Sequence, residues 1–322
     1  MLARFWGTRG SIPVALTARD IREKIVLALM KADGRRFEDA EAANAFVRDA
    51  LDFSISGTYG GHTPCVEIVT GGDTGAGEYL VCDMGSGARP FGAHVNALQH
   101  GKPATIHILM SHVHWDHIMG FPFFRPAYIP GNTVRIYGCH AELEQAFRMQ
   151  QDPPCFPVPL NVMAAKIEFV RIEPDKTFHI GPVAVTASLQ LHGGDSYGFR
   201  IEHQGKVIVY STDSEHKVED QRQTSHVTAF FKDADLVIFD AMYSLAETVS
   251  VKEDWGHSSN VFAVEMAQAA RVKKLALFHH EPVNSDATLE KLLAETRRLE
   301  EITNDGHRVM ISSAYDGLEI EV

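Results

Sequence analysis

The chain has 322 residues, a formal net charge of −12 and a hydrophobic fraction of 45%. This composition excludes an intrinsically disordered chain, because enough apolar residues are present to build a core. The acidic balance disfavours an extended nucleic acid as partner, since basic residues cluster only in short pairs such as Arg35-Arg36. No segment approaches the roughly 20 apolar residues of a membrane span, and we expect no signal peptide and a cytoplasmic location. The four cysteines show no CxxC spacing and are expected to be buried, reduced thiols: Cys65, Cys82, Cys139 and Cys155.

The N-terminal "RFWGTRGSIP" predicts a short strand followed by a glycine-rich turn. Residues 17–51 predict a helical hairpin inserted between strands, with Thr17 as the cap of its first helix and Gly34 as its break. Apolar residues recur at helical spacing in both helices: Ile21, Ile25 and Leu29 in the first, and Ala43, Phe46, Val47, Ala50 and Leu51 in the second. The insertion is interpreted as a packing decoration, a lid over a site, or a homodimer surface.

From residue 65 onward, strand patterns dominate and helical patterns lie between them. The predicted strands are "CVEIVT", "EYLVCDMG", "ATIHILMS", "TVRIYG", "AKIEFVRI", "VAVTASLQL", "YGFRIEHQGKVIVYSTD", "LVIFDAM", "KLALFHH" and the terminal "RVMISSAYDGLEIEV". The predicted helices are "AELEQAFRMQ", "SSNVFAVEMAQAARV" with Ser258 as its cap, and "DATLEKLLAETRRLEEIT". This order predicts an α/β fold of sheets covered by helices. No linker divides it, so residues 1–322 are expected to form one domain.

The segment "SHVHWDH" places four metal-binding side chains within six positions, directly after an apolar strand. These are His112, His114, Asp116 and His117. Imidazoles and carboxylates are the ligands that suit zinc and similar ions. Their spacing suits two adjacent metal ions better than a set of surface or core histidines.

Further candidate ligands follow other apolar strands. His192 follows "LQL", Asp213 follows "VIVYST", and the pair His279-His280 follows "LALF". A single polar residue at a strand end is commonplace. Together with the "SHVHWDH" cluster, however, these residues complete a set of seven ligands at the ends of strands.

The run "HVHWDH" matches the HxHxDH signature of the metallo-β-lactamase superfamily. In this motif the chain resembles that superfamily, whose fold is an αββα sandwich. Other segments occur in the order seen in the branch that contains ribonuclease Z and cyclic-nucleotide phosphodiesterases. They are "FWGTRGSIP", "GGHTPCVEI", "CDMGSGARPFG", "LQLHGGDSYGF", "YSTDSE", "WGHSSN" and "LFHHEP". The resemblance covers nearly the whole chain.

The resemblance implies two divalent metal ions, with zinc favoured over manganese and iron. The implied ligands are His112, His114 and His192 for the first ion, Asp116, His117 and His279 for the second, and Asp213 bridging both. His279 is preferred to His280 because it occupies the histidine of an "LxH" pattern. Asp83 in "CDMGSG" is similar to a residue that orients the ligands without binding metal.

Two adjacent ions lower the pKa of a shared water and stabilise charge on a phosphoryl group, so we expect attack by a metal-bridging hydroxide. Asp116 is suited to ligate one ion and to orient that hydroxide. The leaving alkoxide needs a proton, which His257 in "DWGHSSN" is placed to supply. The resemblance implies the same role for His257, with a carboxylate partner at Asp240 where ribonuclease Z carries glutamate. The alternative is that His257 is a loop residue packed on Trp255.

Aromatic residues follow the metal motif at Phe121, Phe123, Phe124 and Tyr128. They either fill the core beside the site or stack on a nucleobase. The proline-rich "DPPCFPVPL" either lines the same site or forms a rigid loop.

The resulting hypothesis is a dinuclear metal-dependent phosphodiesterase that acts on a small or cyclic phosphodiester or nucleotide. Three alternatives remain: a ribonuclease Z-type enzyme that processes RNA 3′ ends, a thioester or lactone hydrolase of the same fold, and a metal-bearing sensor with little turnover. The absence of a lysine-rich arm disfavours the ribonuclease. A membrane is not an expected partner and an extended nucleic acid is disfavoured, whereas a homodimer is left open.

Overall fold

The computed structural model describes residues 1–71, 77–215, 221–242 and 257–322, with the backbone alone at 221–223. Within these residues, strands form two sheets of seven. The strands are β1 (Leu2–Gly7), β2 (Cys65–Val69), β3 (Glu78–Cys82), β4 (Thr105–Leu109), β5 (Thr133–Gly138), β6 (Lys166–Arg171), β7 (Thr177–Ile180), β8 (Val183–Gln190), β9 (Ser196–His203), β10 (Lys206–Ser211), β11 (Leu236–Asp240), β12 (Lys274–Phe278), β13 (Met310–Ser313) and β14 (Glu319–Glu321).

The first sheet has the strand order β14-β1-β2-β3-β4-β5-β6, and the second has the order β13-β12-β11-β10-β9-β8-β7. Strands β3 to β6 run parallel to one another, as do β10 to β13. The remaining neighbours are antiparallel. Each sheet therefore has a parallel half whose strands need helical crossovers, which places helices on its outer face.

The described helices are α1 (Ala18–Ala32), α2 (Ala40–Ala50), α3 (Phe53–Ser56), α4 (Ala88–Gln99), α5 (Trp115–Ile118), α6 (Leu143–Gln150), α7 (Gln221–Phe231), α8 (Asn260–Ala269) and α9 (Asp286–Thr303). Short 3₁₀ turns occupy Phe121–Phe123, Arg125–Tyr128 and Leu160–Val162. Among the described helices, none combines the length and the apolar character that crossing a membrane requires.

The core lies in three layers. Partly buried and buried side chains alternate along β1, and Phe5 is one of the buried ones between the two sheets. Its ring lies 6.1 Å from that of Phe278 on β12. A second cluster joins the first sheet to α4 and α6 through Phe91 and Phe147, and a third joins the second sheet to its own helices through Phe262. This arrangement confirms the predicted αββα sandwich.

Helices α1 and α2 occupy the segment predicted to form a helical hairpin. Thr17 and Asp20 form a capping box at the start of α1, which ends before Asp33 and Gly34, both in the left-handed region. No residue of α1 is buried, and Leu29 and Met30 are 68% and 72% exposed. The packing of α1 and α2 as a hairpin, and its role as lid or dimer surface, stay predictions.

Some local expectations were wrong. The cap of α8 is Ser259, whose hydroxyl accepts from the Phe262 N–H, while Ser258 donates to the Ser214 carbonyl. Cys155 is exposed, whereas the other three cysteines are buried as expected. Helix α4 was missed because glycine and proline interrupt "ARPFGAHVNALQ", which weakens its helical propensity although packing stabilises it.

Candidate metal centre

The predicted ligands lie beyond the ends of strands from both sheets, and the sandwich brings them to one place. The segment after β4 carries His112 and His114 and then enters α5, which carries Asp116 and His117. The second sheet contributes residues just beyond β8, β10 and β12, namely His192, Asp213 and His279. The carboxyl ends of parallel strands are where α/β folds place their binding sites.

His112, His114 and His192 form one group of possible metal ligands, in which one nitrogen of each lies within 4.8 Å of the others. His192 Nε2 lies 3.1 Å from His114 Nδ1. Among the described residues, His112 Nε2 is buried and has no hydrogen-bond partner. A buried nitrogen without a partner is unfavourable unless a ligand binds it, so this observation fits a metal ion.

Asp116, His117, Asp213 and His279 form a second, fully buried group. His279 Nε2 lies 3.1 Å from Asp213 Oδ1 and 3.3 Å from Asp116 Oδ2. His117 Nε2 faces the same two carboxylates at 3.1 and 3.4 Å. Two imidazoles and two carboxylates that converge on one point form a donor set suited to zinc, manganese or iron.

Asp213 lies between the two groups. Its Oδ1 faces His117 and His279, whereas its Oδ2 lies 3.7 Å from the Nε2 atoms of His112 and His192. One carboxylate thus presents a different oxygen to each group. This is the geometry that a bridging ligand requires.

Electrostatics favour ionised carboxylates in this cluster. Burial opposes ionisation of Asp213, but the neighbouring His279, His117 and His112 outweigh it and hold the pKa of the carboxyl well below its usual range. Burial lowers the pKa of His112 well below its usual value. Burial also disfavours a charge on His117, yet Asp213, Asp116 and Asp83 raise its pKa well above the usual value. A metal ion at this point would take the place of that proton, so binding is expected to release it.

Asp83 fixes the orientation of His117 among the candidate metal ligands. Its Oδ2 lies 2.8 Å from His117 Nδ1 and accepts hydrogen bonds from the hydroxyls of Ser111 and Tyr210, both at 2.7 Å. Its Oδ1 accepts the Ser111 N–H. The resulting arrangement fixes the ring of His117 with Nε2 toward the site, as expected of an orienting residue.

The N-terminal turn reaches the site, which the sequence did not reveal. The Ser11 N–H donates to Asp116 Oδ2 at 2.8 Å, and Ser11 has a φ of 57°. A Cβ at Gly10 would lie 2.5 Å from the His279 ring, so only glycine fits there. Asp213 and His279 also have positive φ, at 29° and 58°. Such strained backbone is common where a site holds its groups in place.

His257 lies against this cluster and pairs with Asp240. Their Nδ1 and Oδ2 atoms are 2.7 Å apart, and Asp240 is fully buried at the end of β11. The His257 ring lies 5.0 Å from that of His279 and 5.4 Å from that of His192. Burial disfavours the charged imidazole, but Asp240 outweighs it and raises the pKa of His257 to about 9. Trp255, the alternative packing partner, lies outside the described residues.

The structure brings His279 and not His280 to the cluster. His280 Nε2 lies 2.8 Å from the Ala314 carbonyl oxygen, and burial lowers the pKa of its imidazole to about 3. Of the aromatic residues after the metal motif, Phe121 and Phe124 fill the core, while Phe123 is 57% exposed. Tyr128 is half-buried and donates to the Pro122 carbonyl.

Comparison with known proteins gives a family match over more than half of the chain. The model of the β-lactamase superfamily domain matches residues 81–280. Ribonuclease Z from Haloarcula marismortui is 23% identical over 301 residues, covering 76% of this chain and 88% of the relative. Ribonuclease Z from Thermoplasma acidophilum is 29% identical over 153 residues, covering 44% of this chain and 47% of the relative, so that match spans about half of its length.

Solved structures share the fold. The metallo-β-lactamase fold protein YhfI from Bacillus subtilis superposes with a TM-score of 0.62 at 18% identity, covering 100% of this chain and 98% of its own. Yeast PDE1 gives a TM-score of 0.61 at 14% identity, covering 82% and 96% of the two chains. At these identities the likeness concerns the fold alone.

Proposed function

The chain belongs to the β-lactamase superfamily, and from that premise we propose that it is a dinuclear metal-dependent phosphodiesterase acting on a small or cyclic phosphodiester. The observation that carries the proposal is the position of Asp213, with one oxygen toward each group of candidate ligands. A carboxylate shared in this way serves two ions. Paired metal ions are common in enzymes that cleave phosphate esters, where they stabilise both the attacking and the leaving oxygen.

We assign the candidate ligands to two sites. The first ion would be held by His112, His114 and His192, the second by Asp116, His117 and His279, and both by Asp213. The unpartnered Nε2 of His112 and the low pKa of Asp213 fit this assignment. When bound, two divalent ions supply a water of lowered pKa and an electrophile for a phosphoryl oxygen. The mixed nitrogen and oxygen donors favour zinc, with manganese or iron as alternatives.

Asp116 is proposed to bind metal and to orient the attacking water. The Ser11 N–H fixes its Oδ2, and the Thr63 hydroxyl donates to its backbone carbonyl at 2.7 Å. Two contacts from separate segments therefore hold this residue in one orientation. A fixed carboxylate can accept a hydrogen bond from water in a defined direction.

His257 is proposed to protonate the leaving alkoxide. It lies beside the candidate ligands of both ions, and Asp240 favours its protonated form. Asp240 also accepts the backbone N–H groups of Ser214 and Met242, which fixes the carboxylate. A protonated imidazole beside the proposed metal sites is in a position that suits a general acid. Since Asp240, His257 and His279 also lie close enough together to bind an ion, metal content must be measured in any His257 variant.

A ribonuclease Z-type activity on RNA 3′ ends is the second candidate, because the sequence relatives carry that name. The net charge of −12 favours a small substrate. The test is to load purified protein with zinc or manganese and to assay bis(p-nitrophenyl) phosphate, cyclic nucleotides and pre-tRNA, with Asp213→Ala as control. We expect turnover of the small diesters that is lost in the variant. Cleavage of pre-tRNA alone would establish the second candidate, and no hydrolysis of any of these substrates would contradict both.

A further inference from the structure

A cavity of about 360 Å³ lies beside the metal motif, within the range of roughly 300–1,000 Å³ that small-ligand sites occupy. Three aromatic side chains line it, namely Trp115, Phe123 and Phe156, together with Gln150 and Arg89. We call these five residues the aromatic pocket. Phe123 and Phe156 meet edge to face at 5.6 Å and 88°. The loop "DPPCFPVPL" thus contributes to the pocket wall through Phe156.

The aromatic pocket adjoins the candidate metal centre through the backbone. Trp115 stands between His114 and Asp116 in the sequence and belongs to the same short helix, α5. His62 also lines the cavity, and its neighbour Thr63 donates to the Asp116 carbonyl. The wall of the aromatic pocket and the candidate metal ligands therefore share this stretch of backbone.

Trp115 is exposed at the cavity. Its side chain is 71% exposed although it is one of the largest apolar residues. Phe123, at 57% exposure, adds a second ring on the same cavity. Exposed aromatic rings that line a concave surface are typical of sites where a flat ligand stacks.

Gln150, the last residue of α6, gives the pocket a polar group. Within the part of the chain that the structure describes, neither Nε2 nor Oε1 of Gln150 has a hydrogen-bond partner, and both atoms are shielded from solvent. An amide that is buried without partners is unfavourable in the free protein. It offers a donor and an acceptor side by side, which matches the edge of a nucleobase.

We propose that the aromatic pocket binds the nucleobase of a nucleoside phosphodiester, with the base stacked on Trp115 and its edge hydrogen-bonded to Gln150. Arg89, exposed at the cavity, adds positive charge suited to a nucleotide. This inference rests on the proposed phosphodiesterase function and narrows its substrate to nucleotides. Stacking tolerates any base, so the pocket selects for a base without fixing its identity.

The kinetic test compares two diesters with the same leaving group, the p-nitrophenyl ester of thymidine 5′-monophosphate and methyl p-nitrophenyl phosphate. Wild-type protein should prefer the nucleoside ester in kcat/KM. Trp115→Ala should raise KM for that ester by roughly 5- to 160-fold, the range for loss of one stacked base. The ratio of the kcat/KM values for the two esters should then approach one. Gln150→Ala should act in the same direction. Trp115→Phe should restore most of the preference, because a ring remains. Met149→Ala, an exposed neighbour on α6 outside the pocket, is the matched control.

A binding measurement makes the inference independent of turnover. Calorimetric titration should show thymidine 5′-monophosphate binding more tightly than methyl phosphate to the metal-loaded protein, with the difference lost in Trp115→Ala at unchanged metal content. Equal affinities for the two ligands would contradict nucleobase binding in the aromatic pocket, even if both esters were hydrolysed. Tighter nucleotide binding without hydrolysis of either ester would support the pocket and contradict the phosphodiesterase. If Trp115→Ala changed the sedimentation coefficient and left the nucleoside preference intact, a second copy of the chain would be the occupant, and the inference would be wrong.

Discussion

Nδ1 of His257 lies 2.7 Å from Oδ2 of Asp240, and this pair sits beside histidines from both groups of candidate ligands. Asp240 is fully buried at the end of β11, so it cannot move away from the imidazole without losing its backbone contacts to Ser214 and Met242. The two side chains are therefore held in one arrangement, which is what the proposed role of His257 as a proton donor requires.

We expect His257→Ala to lower kcat by about 10²–10⁴-fold on a substrate whose leaving group is a ribose alkoxide, the range typical of a lost general acid. The loss should be much smaller for a p-nitrophenyl ester, because p-nitrophenolate leaves without a proton. The measurement is kcat on both kinds of substrate, with metal content determined in each protein.

The exposed His179 on β7 supplies the control, and His179→Ala should change neither rate. Equal losses on both leaving groups, or loss of metal from His257→Ala, would mean that His257 is a ligand or a structural residue. The acid would then have to be another group.

The second prediction concerns pH. Asp240 outweighs burial and raises the pKa of His257 to about 9, so the acid form is present below that pKa and is lost as pH rises through it. Asp240→Asn removes the carboxylate and leaves burial, which lowers the pKa. The alkaline limb of the kcat profile on an alkoxide substrate should move to lower pH in the variant. The test is to measure kcat against pH for the two proteins at equal metal content. If their alkaline limbs coincide, Asp240 does not influence proton delivery by His257.

The third prediction concerns metal stoichiometry. The seven candidate ligands imply two ions per chain, so elemental analysis after reconstitution should approach two equivalents of zinc, manganese or iron. Asp213→Ala should reduce occupancy of both sites, since its oxygens face both groups, whereas the exposed Asp49→Ala should retain both ions. Chelation should lower the Tm of wild-type protein, because bound ions stabilise the folded state. A wild-type protein that holds no metal would contradict the whole assignment.

Much of the site could be predicted from the sequence because its residues follow apolar strands. The cluster from His112 to His117 is local, and His192, Asp213 and His279 each come directly after a strand whose pattern is clear. The carboxyl ends of strands in a layered fold lie at the same edge, so the residues that follow these strands could be inferred to lie close together. The alternation of strands and helices predicted an α/β fold of sheets covered by helices, and the αββα sandwich came from the resemblance to the metallo-β-lactamase superfamily.

Other parts of the site depend on contacts between distant segments and leave no local pattern. Ser11 reaches Asp116 across 105 positions, and Tyr210 reaches Asp83 across 127. The aromatic pocket likewise exists only because the loop that carries Phe156 packs near Trp115. The four-residue strand β7 and helix α4 were missed, because tertiary packing stabilises segments whose own propensity is weak.

The last prediction concerns how α1 is held to the body of the protein. Nζ of Lys24 lies 2.7 Å from Oδ2 of the buried Asp286 and donates to the carbonyls of Ser54 and Gly57. Lys24→Met should lower the free energy of unfolding by about 1–3 kcal/mol, since it leaves a buried carboxylate without one of its partners.

Lys31→Met is the matched control. Lys31 lies 3.8 Å from Asp52 with both side chains more than half exposed, and such a pair contributes about 0–1 kcal/mol. Denaturant titrations of both variants give the comparison, and amide hydrogen exchange across residues 18–32 should accelerate in Lys24→Met alone. Equal stabilities and equal exchange in the two variants would show that the attachment of α1 does not depend on Lys24. Helix α1 would then have to be held by contacts other than this ion pair.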